Sequence, residues 1–444
     1  MNLRLDKMYY KFIVLFVFVF VVSANVCEYD YCECDDNVRN TTVQCAFGNK
    51  ALASNRSLPN NTITLILSKS NITILQPSEL LKSDTLEELL LSFNHIIDIK
   101  PSSLQLPQLK RLDLSDNELQ VIQPGVFVEL LKLESLNLAN NKFTQISRLD
   151  FHPLVNLKEI ILDGNNIGRD LLDTSLFDPN GCGLTNAIQS ISLNKINLQD
   201  VRREYFLQAD KLSNLSLSGN NITTIPYFKQ LLHLDLSDNP IEVLEFDQTY
   251  PPIISVFKIN NLKIKEISMN GLLGLFNEIE MESNRHLSNF SHLAFGSNIL
   301  RDDYDFITRK LSMRSSNLSS LDERLWVLFK HLEVLDLQDN PWHCDCRISW
   351  FLKLNIPLIL SQELKCATPS YFKGIRILDL KPHDFECPQQ TVPKTVRYSE
   401  GVYELAVTLG LILYTLLLIV TLIWIYFFLY LPRTRVKKNE YLQI

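Results

Sequence analysis

LDLSDN is written twice in this chain, at Leu112–Asn117 and at Leu234–Asn239, and LDLQDN follows at Leu335–Asn340. Six identical residues at two places in one chain point to a repeated structural unit. Outward from these stretches the match extends to L-x-x-L-x-L-x-x-N-x-L. LKRLDLSDNEL from Leu109, LLHLDLSDNPI from Leu231 and LEVLDLQDNPW from Leu332 fit it. So do LEELLLSFNHI from Leu86, LESLNLANNKF from Leu133, LKEIILDGNNI from Leu157 and LSNLSLSGNNI from Leu212. Weaker copies begin at Thr62, Ile188, Ile254, Phe276 and Thr308, which makes twelve. The units beginning at Leu157 and Phe276 are extended to 31 and 32 residues.

Leucines two apart, such as Leu112 and Leu114, point to one face of a short strand. Template positions one, nine and eleven complete an inward set. One unit cannot bury that face alone, so units stack as coils and their strands join in a parallel sheet. The expected fold is an α/β repeat: a curved solenoid with a parallel sheet on its concave face. An Asn amide at position nine can satisfy backbone groups where the strand turns, so Asn117 and Asn239 are read as structural. Ser70, Ile196, Leu262 and Ser316 replace Asn there, and the ladder is expected to loosen at those coils. Positions two, three, five, seven and eight are assigned to the concave face. On that basis Ile66, Leu90, Phe93, Arg111 and Asp113 form the candidate ligand patch, apolar side chains beside charge. Glu278 is expected to face Lys310, and Glu282 to face Arg314.

The ends of the chain carry membrane signals. Arg4, Lys7 and Lys11 flank the apolar run Phe12–Val22, which fits a secretory leader over 1–24. Leu405–Leu431 is uncharged and long enough to cross a bilayer; Arg433, Arg435, Lys437 and Lys438 follow it and place that end in the cytoplasm. The expected topology is type I at the plasma membrane, with residues 25–404 outside. Asn-x-Ser/Thr sequons at Asn40, Asn55, Asn60, Asn71, Asn214, Asn221, Asn289 and Asn317 all fall in that outer part. Four of nine cysteines cluster near residue 27 and four before the apolar run, a disulfide pattern for an oxidising compartment. Cys182 is left over, as a buried thiol or an intermolecular bridge.

The repeat, with C-x4-C-x-C-x10-C from Cys27 and NPWHCDCRISWFLK at Asn340–Lys353, resembles the extracellular leucine-rich-repeat family. Ectodomains of Toll-type receptors, Slit, chaoptin and connectin are of this kind. The resemblance implies the pairs Cys27–Cys34, Cys32–Cys45, Cys344–Cys366 and Cys346–Cys387. It also implies a cap at 25–61, about twelve repeats at 62–340, a second cap at 341–388, a stalk at 389–404, the transmembrane helix at 405–431 and a cytoplasmic tail at 432–444. Toll-type receptors carry a cytoplasmic signalling domain and no such domain follows here, so a partner or a dimer is expected to relay any signal. Ala406-xxx-Gly410 offers one helix–helix contact for such a dimer. Tyr441 and Ile444 fit a Tyr-x-x-apolar sorting motif, read by an adaptor and resembling lysosome-associated membrane protein tails. The same end fits a PDZ domain.

Other classes are disfavoured. A net charge of −7 and the lack of a basic aromatic patch argue against nucleic acid. No G-x-S-x-G, H-E-x-x-H or phosphate-loop motif occurs. No catalytic residue, cofactor or metal is expected; zinc at His343–Cys346 is the weaker alternative to disulfides. The sequence is read as a cell-surface receptor or co-receptor for an extracellular protein, with adhesion molecule and endolysosomal glycoprotein as alternatives.

Overall fold

Each copy of the template forms one strand of a single 14-stranded sheet. A computed structural model describes residues 26–28, 32–35, 41–53, 56–246, 251–296, 306–387 and 400–430. The leader, the sequons at Asn40 and Asn55, most of the stalk, and the tail with Tyr441 and Ile444 lie outside these residues. The chain divides into two units, 1–386 and 387–444.

In the first unit the strands follow chain order. β1 (Cys32–Asp35) pairs antiparallel with β2 (Thr41–Cys45). From β2 onward every neighbour in the sheet is parallel. β3 is Thr62–Ile66, β4 Glu88–Leu90, β5 Arg111–Asp113 and β6 Ser135–Asn137. β7 is Glu159–Ile161, β8 Ser190–Ser192, β9 Asn214–Ser216 and β10 Gln230–Asp235. β11 is Ile253–Lys258, β12 Leu275–Glu280, β13 Lys310–Ser312 and β14 Val334–Asp336. Registry stacks like on like: Leu112 lies between Leu89 and Leu136. Leu109, Leu112, Leu114 and Leu119, at positions one, four, six and eleven, are fully buried. Each such burial contributes roughly 1.5–3 kcal/mol over exposure, so the stacked leucine rows are the main source of stability.

The turn after each strand is uniform. Position eight has a left-handed backbone in all twelve coils, from Lys69 and Phe93 through Asp116, Asn140 and Gly164 to Ser315 and Asp339. The turn points position nine inward. Asn117 Nδ2 donates to the carbonyls of Leu91 (3.0 Å) and Leu114 (3.1 Å), and its Oδ1 accepts from Ile96 N–H (3.0 Å). Asn94, Asn141, Asn165, Asn220, Asn239, Asn284 and Asn340 repeat the pattern. Each asparagine therefore fastens its own coil to the one before it.

The expected loosening at the substituted coils does not reach the strands. β8, in the coil of Ile196, keeps unbroken register with β7 and β9. Ile196 and Leu262 are buried, and their N–H groups donate to Asn220 and Asn284 of the following coils. Ser70 Oγ reaches back to Cys45 O at 3.0 Å. Only Ser316 shows a deficit, a buried hydroxyl without a hydrogen-bond partner.

Both ends are closed. Cys27–Cys34 and Cys32–Cys45 cross-link the N-terminal cap, and Cys344–Cys366 the C-terminal one. Cys346 and Cys387 are also disulfide-bonded. Trp342, Trp350 and Phe351 are buried against the last coil with rings 4.8–5.0 Å apart. The Trp342 indole donates to Leu337 O at 2.9 Å. That is the position-six carbonyl which the next coil's asparagine would hold, had the array continued. Cys182, the leftover cysteine, is a fully buried thiol inside the extended coil. Its Sγ donates to Leu176 O at 3.2 Å, and burial raises its pKa to about 11.

In the second unit one helix spans Glu400–Tyr430. Val407–Leu429 has a mean hydropathy of 2.5 and is long and apolar enough to cross a membrane.

Candidate functional site

The concave face offers less to a ligand than the template suggests. Position seven is inside in four coils, where Ser115, Ala139, Ser237 and Gln338 are buried, and half-buried in the rest. Position five is partly spent on the turn. Asp113 Oδ1 accepts from Ser115 N–H (2.9 Å), and Asp235 from Ser237 N–H (2.9 Å). Asn137 and Asp336 make the same bond. The Asp of LDLSDN is thus a turn residue with one oxygen left over, its other oxygen taken by the position-seven N–H.

The charges at positions two, three and five mostly neutralise one another between coils. Glu87 pairs with Lys110 (2.8 Å) and Glu88 with Arg111 (3.3 Å). Glu134 pairs with Lys158 and Lys258 with Glu280, each at 2.8 Å. The hydrogen bond from Lys158 holds Glu134 below the usual carboxylate range, and that to Glu280 raises Lys258. Glu278 meets Lys310 at 2.7 Å, as its registry dictates, and raises that lysine. Glu282 does not meet Arg314. It accepts from Ser312 Oγ (2.6 Å), while Arg314 turns to Asp339 of the next coil (2.7 Å). Arg314 has an acid on both sides, and the register alone does not choose between them.

Against this neutralised background the N-terminal end differs. Registry sets Ile66 beside Leu90, and Leu90 beside Asp113, on β3 to β5. Ile66 and Leu90 are half-buried. Phe93 is 57% exposed, held at a φ of 55° in the left-handed turn. All five candidate residues therefore lie on three adjacent coils, but Arg111 is tied to Glu88 and Asp113 to its own turn.

Two features escaped the template. The cap supplies a coil of its own: Val43 pairs with Leu65, which makes Phe47 its position-eight residue. Phe47 is 56% exposed. The spacing of Val43, Cys45 and Phe47 carried that signal, hidden by the lack of leucine. Further along, Ile253, Leu275 and Ile307 precede position one on successive coils and are 41%, 40% and 46% exposed. Other coils place polar or small residues there, such as Gln108, Lys132 and Lys211. This row stands just outside the eleven-residue template.

Of the described sequons, Asn60, Asn71, Asn221, Asn289 and Asn317 are exposed. Asn214 is half-buried on β9, between Ser190 and His233, and its Oδ1 is buried without a partner. It lines a shallow concavity of about 370 Å³ with Ser192, Ser216 and Val256. The alternative zinc set at His343–Cys346 is committed elsewhere: Cys344 is in a disulfide, His343 shares a hydrogen bond with Thr368, and Asp345 holds Arg347 (2.8 Å).

A family model described as leucine rich repeat matches residues 107–167. Toll-like receptor 2 type-1 of Gallus gallus is 22% identical over 314 residues, which cover 65% of this chain and 35% of that protein. Vasorin of Mus musculus is 28% identical over 193 residues, 38% of this chain and 28% of that one. The matches thus span about a third of those relatives' length. Among solved structures, the Toll–Spatzle complex of Drosophila aligns over 77% of this chain and 61% of that one, with 19% identity and a TM-score of 0.44. With its stacked parallel strands, its asparagine ladder and its disulfide-bonded caps, the chain has the leucine-rich-repeat fold.

Proposed function

We propose that the chain is a cell-surface receptor or co-receptor that binds an extracellular protein through the N-terminal part of its concave face. The observation that carries this reading is the apolar pair Ile66 and Leu90, in registry beside exposed Phe93, on a face whose charges are otherwise paired off. Buried apolar anchors ringed by polar groups supply most of the energy in protein interfaces. A glycan on Asn214 would occupy the middle of the sheet, which favours a ligand engaging one end. The leader at 1–24, type I orientation, glycans at the eight sequons and sorting through Tyr441 and Ile444 belong to the same proposal. Kinship with a protein named as a Toll-like receptor supports it.

A binding screen of the full-length protein against extracellular proteins tests the reading. Leu90→Asp is expected to lower ligand affinity at least tenfold, since it puts an unpaired charge into the contact. Unchanged binding would count against the N-terminal site. If expression of the protein makes cells aggregate, the adhesion alternative replaces receptor function. If Tyr441→Ala changes neither surface level nor location, the sorting role is lost.

A further inference from the structure

The turn edge of the N-terminal coils carries an aromatic and cationic row. Phe47, Lys69 and Phe93 are the position-eight residues of the cap coil and of the next two coils. All three are exposed. They are neighbours by several bonds: Ser70 Oγ holds Cys45 O at 3.0 Å, Asn49 holds Asn71 O, and Lys69 N–H holds Ser92 O at 3.1 Å. The Lys69 ammonium lies 5.5 Å from the Phe93 ring centre, and that of Lys50 lies 5.0 Å from Phe47. Neither lysine has a carboxylate partner among the described residues, in contrast to Lys110, Lys158, Lys258 and Lys310 elsewhere on the sheet.

Position eight is where Asn, Asp or Gly sits at little cost; most later coils use Asp116, Asn140, Gly164, Gly219, Asp238, Asn261 and Asp339, while Lys195, Ser283 and Ser315 depart from this. A bulky Phe with positive φ is an outlier, and outliers of this kind gather at functional sites. The row is therefore apolar and positively charged, and at Lys69 and Phe93 a left-handed backbone holds it outward.

The geometry points to this row as the seat of an acidic protein segment that presents an aromatic or aliphatic side chain between its carboxylates. The two unpaired ammoniums select the acid, and the Phe47 and Phe93 faces take the apolar side chain. This rests on the proposed receptor reading and names the chemistry of its partner. The row ends at Asp116, whose carboxylate accepts from Asn140 Nδ2 and would repel an acidic segment that ran further. Exposed Asn71 borders it on the outer side.

The test measures binding of two fluorescent peptides to the full-length protein in detergent. One alternates Glu with Phe; the other has Lys in place of Glu. The acidic peptide should bind, and its affinity should fall steeply as salt rises from about 50 to about 300 mM. Phe93→Asn, which suits the turn, and Lys69→Glu should each weaken it at least tenfold. Equal binding of both peptides, binding of neither, or full binding by both variants overturns the assignment. If Leu90→Asp alone abolishes binding of the screened ligand, the concave site stands while the row falls. If no variant weakens that ligand, both fall.

Discussion

At position 93 a phenylalanine occupies a backbone conformation that costs an L-residue roughly 1–2 kcal/mol. Its side chain is 57% exposed, so little burial offsets that cost. Phe93→Asn is therefore expected to raise the stability of the repeat unit by about 1 kcal/mol, read as a higher denaturant midpoint with an unchanged slope. A lower midpoint would mean that Phe93 serves the fold. The residue level is also where the sequence was least legible. Leu112, Leu114 and Asn117 could be assigned from spacing, because hydrophobic period and amide chemistry have one solution in a stack. Asp113 could not: it accepts from Ser115 N–H in a turn whose left-handed step falls at Asp116. Nothing in the letters marks that step when the same position holds Asp, Phe, Lys or Ser.

At the level of elements, the caps were legible through resemblance and the coils through periodicity. Which charge meets which was legible only where one partner was in reach, as for Glu278 and Lys310. The C-terminal end adds a dependence on pH. Asp322 caps the short helix Glu323–Leu325, and hydrogen bonds from Arg324 hold its carboxyl down at about 2. Asp345 caps Cys346–Lys353. Burial works against its ionisation, but Arg347 outweighs burial and leaves the carboxyl below its usual range. A depressed folded-state pKa adds stability that is complete above the unfolded value, about 3.9, and is lost as pH falls through the folded value. The C-terminal cap is thus expected to keep its stability from neutral pH down to about 4 and to loosen between about 4 and 2. Hydrogen exchange over residues 320–355 measures this. Loss of protection already at pH 6 would contradict it.

For the whole molecule, the sheet and its twelve template coils were open to sequence reading because one unit was written many times; the coil in the N-terminal cap was not. The exposed row Ile253, Leu275 and Ile307 was not, because it lies in the variable stretch between templates. The asparagine ladder also has a polarity. Asn117 holds Ile96 N–H and Leu91 O of the coil before it, and nothing of the coil after it. Asn117→Ala should therefore raise amide exchange at Ile96, upstream, and leave Leu138 and Phe143, downstream, protected. The lost bonds amount to about 1–3 kcal/mol. Faster exchange downstream would show that the ladder is symmetric.

That polarity has a consequence for how the molecule comes into being. A ribosome delivers the coils from the N-terminal end, and each one has its asparagine's own-coil bonds first and gains the second hold on its position-six carbonyl only from its successor. The growing tip is then the single unfinished coil, whatever the length already made. The last coil is closed by Trp342 instead, whose indole takes the contact that the next coil's asparagine makes elsewhere. A chain stalled anywhere earlier would carry one open end for chaperones to recognise.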